Sequence, residues 1–151
     1  MKFKLLTFAC AVLLIFSVSA LCWAKEVTLT VWESTGGPDE FIRQAGKAFT
    51  EIYPNIKVDF VNVELGDSSS QIAWDGPAGV GPDLFAAPHD KLGELAIGGH
   101  VLPTANAEKI GEQILETCKI ALNYDGIMYG YPVSAETYAL FYNKAYLSQE
   151  E

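Results

Sequence analysis

Alternation of apolar and polar positions opens the chain's readable part. Val27-Thr28-Leu29-Thr30-Val31-Trp32 switches between apolar and hydroxyl side chains with β-branched enrichment, which predicts a strand. Gly36-Gly37-Pro38 breaks it. From Asp39 to Tyr53 the period changes: Phe41, Ile42, Ala45, Ala48, Phe49 and Ile52 fall at the spacing of a helix that buries one stripe, with Asp39 and Glu40 in the first turn, where the helix dipole favours them. Pro54 and Asn55 stop the helix, and Ile56 to Val63 alternates again, so the segment predicts a βαβ unit. Gly66 to Ser70 reads as a loop and Gln71 to Trp74 as a helical turn, with Trp74 packed against the helix's neighbours. Leu84 to Ala87 reads as a short buried strand, and Leu92, Leu95 and Ala96 as a short helix ended by Gly98-Gly99. Glu108 to Leu122 predicts one amphipathic helix carrying Ile110, Ile114, Leu115, Cys118 and Leu122 on one side, with Cys118 as a small buried apolar residue. Asp125-Gly126 predicts a hairpin turn, and Ile127 to Val133 and Thr137 to Tyr142 predict strands, with Pro132 at an edge or crossing position. The fold class is α/β with a largely parallel sheet. Ligands in such sheets gather at the carboxyl ends of strands, which here are Glu33 to Gly37, Pro88 to Lys91 and Ser134 to Glu136.

The opening residues follow a different pattern. Lys2 and Lys4 precede the apolar run Leu5 to Phe16, and small residues follow, the layout of a secretory signal peptide over residues 1–24. Cleavage is expected after Ala24, with Ala20 as the other small-residue site. The apolar run is shorter than the roughly 20 residues a spanning helix needs. Lipidation at Cys22 is an alternative, although Leu21 and Ser19 reverse the usual order of residues before a lipidated cysteine. The chain is thus expected to be exported to the periplasm, or, by the alternative, anchored by lipid at the outer face of the cell membrane.

Composition narrows the partners. In 151 residues, half are apolar and 19% charged, far from the composition of a disordered chain. The formal charge is −9, and removing residues 1–24 leaves 8 basic against 19 acidic residues, a charge of −11. Phosphate backbones are held by clusters of Lys and Arg, so nucleic acid is excluded as a partner. Cys118 would be the only thiol after cleavage and has no partner for an internal disulfide.

The sequence holds no GK[ST] loop, GxSxG elbow or HExxH motif. Gly76, Gly79 and Gly81 precede a strand instead of following one into a helix, and His89 and His100 stand alone. No cofactor and no metal site are expected. Glu33, Asp90 and Glu136 offer the paired carboxylates that glycoside hydrolysis requires, yet nothing singles out a nucleophile. Carboxylates in a cleft also bond sugar hydroxyls without reaction, and binding is the more economical reading.

Three ordered stretches carry a resemblance: Leu29 to Glu33 with the helix through Phe49; Gly81-Pro82-Asp83-Leu84-Phe85 running into Ala87 to Lys91; and Asp125-Gly126 through Tyr131-Pro132, Glu136 and Phe141 to Lys144. Together they resemble the amino-terminal part of the extracellular solute-binding proteins of ABC importers, in the maltose- and maltodextrin-binding group. The resemblance implies a periplasmic-binding-protein type II fold, with residues 25–132 as most of a first α/β lobe, 133–137 as a hinge crossing, and 138–151 as the start of a second lobe. It implies an oligosaccharide ligand in a cleft between lobes, membrane permease subunits as partners, a monomer, and no catalysis. Asp90, Lys91 and Glu136 match positions that bond sugar hydroxyls, and with Glu33 and Ser34 they form the expected ligand site. Lys91 stands where the group has Arg, which changes bidentate geometry. Ser34, Gly36 and Gly37 replace an Asn, an Asp and a Lys that contact maltose, and Ala87 replaces a stacking Trp, so an oligosaccharide other than maltose, or a maltodextrin held differently, is implied. Trp32 is expected in the core. Two lobes need roughly two to three times these residues. The sequence reads as an incomplete open reading frame, and residues 25–151 alone are expected to bind sugar weakly or not at all. The rival readings are a same-fold receptor for a polyamine, suggested by the acidic balance, and a secreted glycosidase using Glu33 or Glu136.

Overall fold

The structure, a computed structural model, describes residues 25–147. The signal-peptide expectation for residues 1–24 and the last residues of the 138–151 segment lie outside it. The chain divides after Ala86 into two compact units.

The first unit is built on the predicted βαβ. Strand β1 (Val27–Glu33) and strand β2 (Ile56–Asn62) run parallel in register from Val27↔Ile56 to Glu33↔Asn62, joined by helix α1 (Pro38–Ile52). Proline at the first position of α1 loses no hydrogen bond, because that amide is unpaired in any helix, and Asp39 and Glu40 occupy the first turn. Helix α2 (Leu65–Asp75) follows, and strand β3 (Leu84–Phe85) returns to pair with the other side of β1, giving the order β2-β1-β3. Asp83 fastens that return: its carboxylate accepts the Thr30 amide at 2.8 Å while its own amide bonds Thr30 O. Val31, Trp32, Val63 and Ile72 form the buried apolar core of this unit, so Trp32 is in the core as expected.

Three expectations for this unit are corrected. Residues 66–70 are helical, not a loop, because Ser68 turns its hydroxyl onto Leu65 O and Ser68, Ser69 and Ile72 together form the buried side of α2. Trp74 is 81% exposed on that helix, so it does not pack as expected. The stripe assigned to α1 meets the sheet only in part: Phe41 is 55% and Ile52 71% exposed, while Ile42 is half-buried and, with Thr50, flanks Gly46, which lies against β2. The glycine sets the choice of face. A Cβ there would sit 2.9 Å from Val58 Cβ, so only a residue without one allows this close approach.

The second unit is made of short pieces. A 3₁₀ turn (His89–Lys91) leads into helix α3 (Leu92–Ile97), then α4 (Ala107–Gly111), α5 (Glu116–Ala121) and the hairpin of β4 (Asn123–Tyr124) and β5 (Ile127–Met128). The Asp125-Gly126 turn is as predicted: both residues have positive φ, 52° and 79°, and the Gly126 amide bonds Asn123 Oδ1 at 3.0 Å. Leu95 is the buried apolar residue here among those described. The single helix expected over 108–122 is two, broken at Glu112–Leu115; Gly111 ends the first, and extended Leu115 (φ −62°, ψ 148°) caps the second. Cys118 lies on α5, half-buried. The strand expected over 127–133 ends at Met128, with Thr104 bonding Met128 O through its amide and Gly130 O through its hydroxyl. No strand forms over 137–142, where Tyr138, Leu140 and Phe141 are exposed and have no ladder partner among the described residues.

Candidate ligand site

The chain enters the sheet at its centre, moves to one side for β2 and to the other for β3. That reversal puts a topological switch point between the carboxyl ends of β1 and β3, the position where open α/β sheets receive ligands. The ladder there runs one step past β3, with the Ala86 amide bonding Trp32 O at 3.0 Å. The next residue of β1 is Glu33.

Glu33 is 6% exposed. Burying a carboxylate costs free energy unless donors replace water. One donor is its own successor: the Ser34 amide bonds Glu33 Oε1 at 2.8 Å. No Lys or Arg pairs with Glu33 among the described residues. The Val63 amide meanwhile bonds Glu33 O at 3.1 Å, extending the β1–β2 ladder, and the Leu65 amide bonds Ser34 Oγ at 2.8 Å. Two of the expected site residues, Glu33 and Ser34, are thus one hydrogen-bonded structure at the sheet's switch point.

Asp90 and Lys91 lie together on the 3₁₀ turn of the second unit, started by extended Pro88, whose carbonyl accepts the Lys91 amide. Asp90 is exposed. Lys91 Nζ reaches Glu94 Oε1 at 3.0 Å one turn along, and this hydrogen bond and charge raise the Lys91 pKa above its ordinary 10.5. Glu136 is exposed in a stretch without regular structure, and nothing in the described residues brings it to another site residue. His89 is exposed beside Asp90, and no group of three His, Cys, Asp or Glu side chains gathers as a metal site would need among the described residues.

Sequence reasoning missed two participants. Glu94 holds Lys91, and its signal was the i,i+3 spacing in a segment expected to be helical. The Leu65 amide holds Ser34 from 31 residues away and left no local signal.

Residues 32–151 match the family described as bacterial extracellular solute-binding protein. The galactooligosaccharide-binding protein of Bacillus subtilis strain 168 is 31% identical over 136 residues, which are 89% of this chain and 32% of that protein. The maltotriose-binding protein of Pyrococcus abyssi is 39% identical over 127 residues, 80% of this chain and 27% of its own length. Among solved structures, a cyclo/maltodextrin-binding protein complexed with maltotetraose superposes with a TM-score of 0.66 at 33% identity, covering 74% of this chain and 29% of that one. The chain therefore spans about a third or less of the length of these relatives. The shared fold is the expected α/β, periplasmic-binding-protein type, and the family's extracellular character agrees with export. With its parallel βαβ, its switch-point carboxylate and a family match over most of its length, the chain belongs to the bacterial extracellular solute-binding proteins.

Proposed function

We propose that this protein is the extracellular receptor of an ABC-type sugar importer, holding a maltodextrin or another oligosaccharide and presenting it to membrane permease subunits. The observation that carries the reading is the buried Glu33 carboxylate at the switch point. Among the described residues it has one fixed amide donor and no cation, so it retains acceptor capacity for ligand hydroxyls. Relatives whose names specify galactooligosaccharide and maltotriose support an oligosaccharide ligand. In this reading residues 25–132 supply most of the first lobe, 133–137 cross the hinge, and the chain from 138 opens the second lobe. Glu33, Ser34, Asp90, Lys91 and Glu136 serve the ligand. Binding energy closes the lobes, the monomer binds and releases without turnover, and no cofactor takes part.

The test is calorimetric titration with maltotriose of the protein as its host exports it. Saturable binding with a Kd of about micromolar order, weakened at least tenfold by Glu33→Gln, is expected. Absence of heat with maltotriose and with galactooligosaccharide removes the sugar assignment. An acceptor without a cation also suits an amine, so the polyamine receptor is the second reading. Binding of spermidine in place of maltotriose would establish it. Hydrolysis of a chromogenic glycoside, lost on Glu136→Gln, would turn the assignment toward a glycosidase.

A further inference from the structure

Ser34 was expected to contact the ligand, and its hydroxyl oxygen already accepts one hydrogen bond within the protein. Leu65 is the first residue of α2, and first-turn amides have no partner within their own helix. Glu64, at the cap position, offers no side-chain bond. Ser34 Oγ supplies the missing acceptor, at 2.8 Å. The same residue's amide donates to Glu33 Oε1, also at 2.8 Å. One residue therefore links the start of α2 to the buried carboxylate, and the Val63 amide on Glu33 O closes the loop between the ends of β1 and β2. Fixing the Ser34 side chain fixes the peptide that carries the amide, and the amide sets the carboxylate's direction. A carboxylate aimed in advance binds more tightly than one that must be ordered on binding.

We infer that Ser34 is a positioning residue, acting on the ligand through Glu33 and dependent on the Leu65 N–H. This rests on the proposed reading of the β1 end as a ligand site. Accepting the Leu65 N–H leaves the Ser34 proton free to donate, so direct contact and action through Glu33 are separated at Glu33: a residue acting through it costs nothing further in a Glu33→Gln background, and an undiminished loss there would overturn the inference. Dependence on the Leu65 N–H is tested at Leu65 itself. Leu65→Pro removes the N–H and leaves the Ser34 hydroxyl in place. Proline suits the first position of a helix, and Glu64 already has the extended backbone that precedes proline, φ −63° and ψ 140°.

The experiment titrates maltotriose into the exported protein, into Ser34→Ala, Leu65→Pro and the double variant of these two, into Glu33→Gln with and without Ser34→Ala, and into Ser34→Thr, which keeps a hydroxyl; near-ultraviolet circular dichroism checks that each is folded. Ser34→Ala and Leu65→Pro should each weaken binding about tenfold, the worth of one ordinary hydrogen bond. The double variant should be no weaker than either single one, because both break the same link. Ser34→Thr should bind within about threefold of the unaltered protein, a residual for the added methyl. Unchanged affinity in Leu65→Pro beside a loss in Ser34→Ala would make Ser34 a direct contact and overturn the inference. So would losses that add in the double variant, or unchanged affinity in Ser34→Ala. If the unaltered protein binds galactooligosaccharide in place of maltotriose, the same variants are read with that ligand; if it binds neither, the proposed function fails, and this inference fails with it.

Discussion

The two units of this chain solve the same problem with unequal means. In the first, a seven-residue strand is bracketed by two parallel neighbours, and four apolar residues, Val31, Trp32, Val63 and Ile72, are buried around it. In the second, Leu95 is the buried apolar residue among those described, helices run five or six residues, and strands run two. Helices that short are not stable by propensity and hold their shape only through packing and caps. Candidate residues inherit this difference. Glu33 and Ser34 are built into a ladder, whereas Asp90 and Lys91 stand on a single 3₁₀ turn, and Glu136 stands on no element. Of the candidate residues, those held in a fixed direction are therefore the pair at the β1 end.

The largest expected effect tests whether the core really sits where burial puts it. Trp32→Ala should destabilise the first unit by about 3–5 kcal/mol, and native-state amide exchange should lose protection throughout the Val27–Asn62 ladder. Leu95→Ala should cost about 2–3 kcal/mol and strip protection from α3 and the Asn123–Met128 hairpin, which meet where Gly93 abuts the Tyr124 ring. Equal losses in both units from either change would break the comparison.

A smaller effect sharpens it. Gly46 lets α1 lie against β2, and Gly46→Ala would drive a Cβ to 2.9 Å from Val58 Cβ. Overpacking of this kind costs about 1–3 kcal/mol, and the helix preference of Ala over Gly returns at most about 1 kcal/mol. A net loss of about 1–2 kcal/mol in urea unfolding is expected, largely recovered when Val58→Ala is added. Stabilisation by Gly46→Ala alone would show that the helix–strand contact is slack.

How much of this could be read in the sequence follows the same division. The β1-α1-β2 unit was legible because each element has its own period and sharp breakers, Gly36-Gly37-Pro38 and Pro54, and its boundaries fall within a residue or two of the reading. Which face of α1 meets the sheet was only partly legible, since periodicity marks Ile42 but equally Phe41 and Phe49, while the closest contact is made by a glycine, which periodicity does not count. Serine-rich 66–70 looks like a loop by composition, yet small side chains are what a helix can bury closely: Ser68 satisfies its hydroxyl on Leu65 O, whereas Ser69 Oγ is buried with no partner among the described residues. The break at Glu112–Leu115 was hidden because Ile110, Ile114 and Cys118 keep helical spacing across it. At the candidate site, the place of Glu33 at the end of β1 was legible, but the tie from Ser34 to Leu65 joins residues 31 apart, and only the register of β1 on β2 brings them together.

The smallest effect concerns Lys91, the expected sugar contact that the second unit already occupies. Its pairing with Glu94 raises its pKa above 10.5, chiefly by the hydrogen bond and then by charge, with Asp90 adding a little. A raised lysine pKa means that the pair's contribution to stability is complete below 10.5 and disappears as pH rises through the raised value. Glu94→Gln should return the Lys91 pKa toward 10.5 in an NMR titration, since Gln keeps an acceptor but loses the charge. The urea midpoint near pH 7 should not move measurably, because both side chains are open to solvent and such pairs contribute little. If Lys91 serves the ligand, Glu94→Gln should also change maltotriose affinity, since the ammonium no longer has to leave a carboxylate to reach a sugar hydroxyl. An altered pKa with unaltered affinity would confine Lys91 to a surface pair.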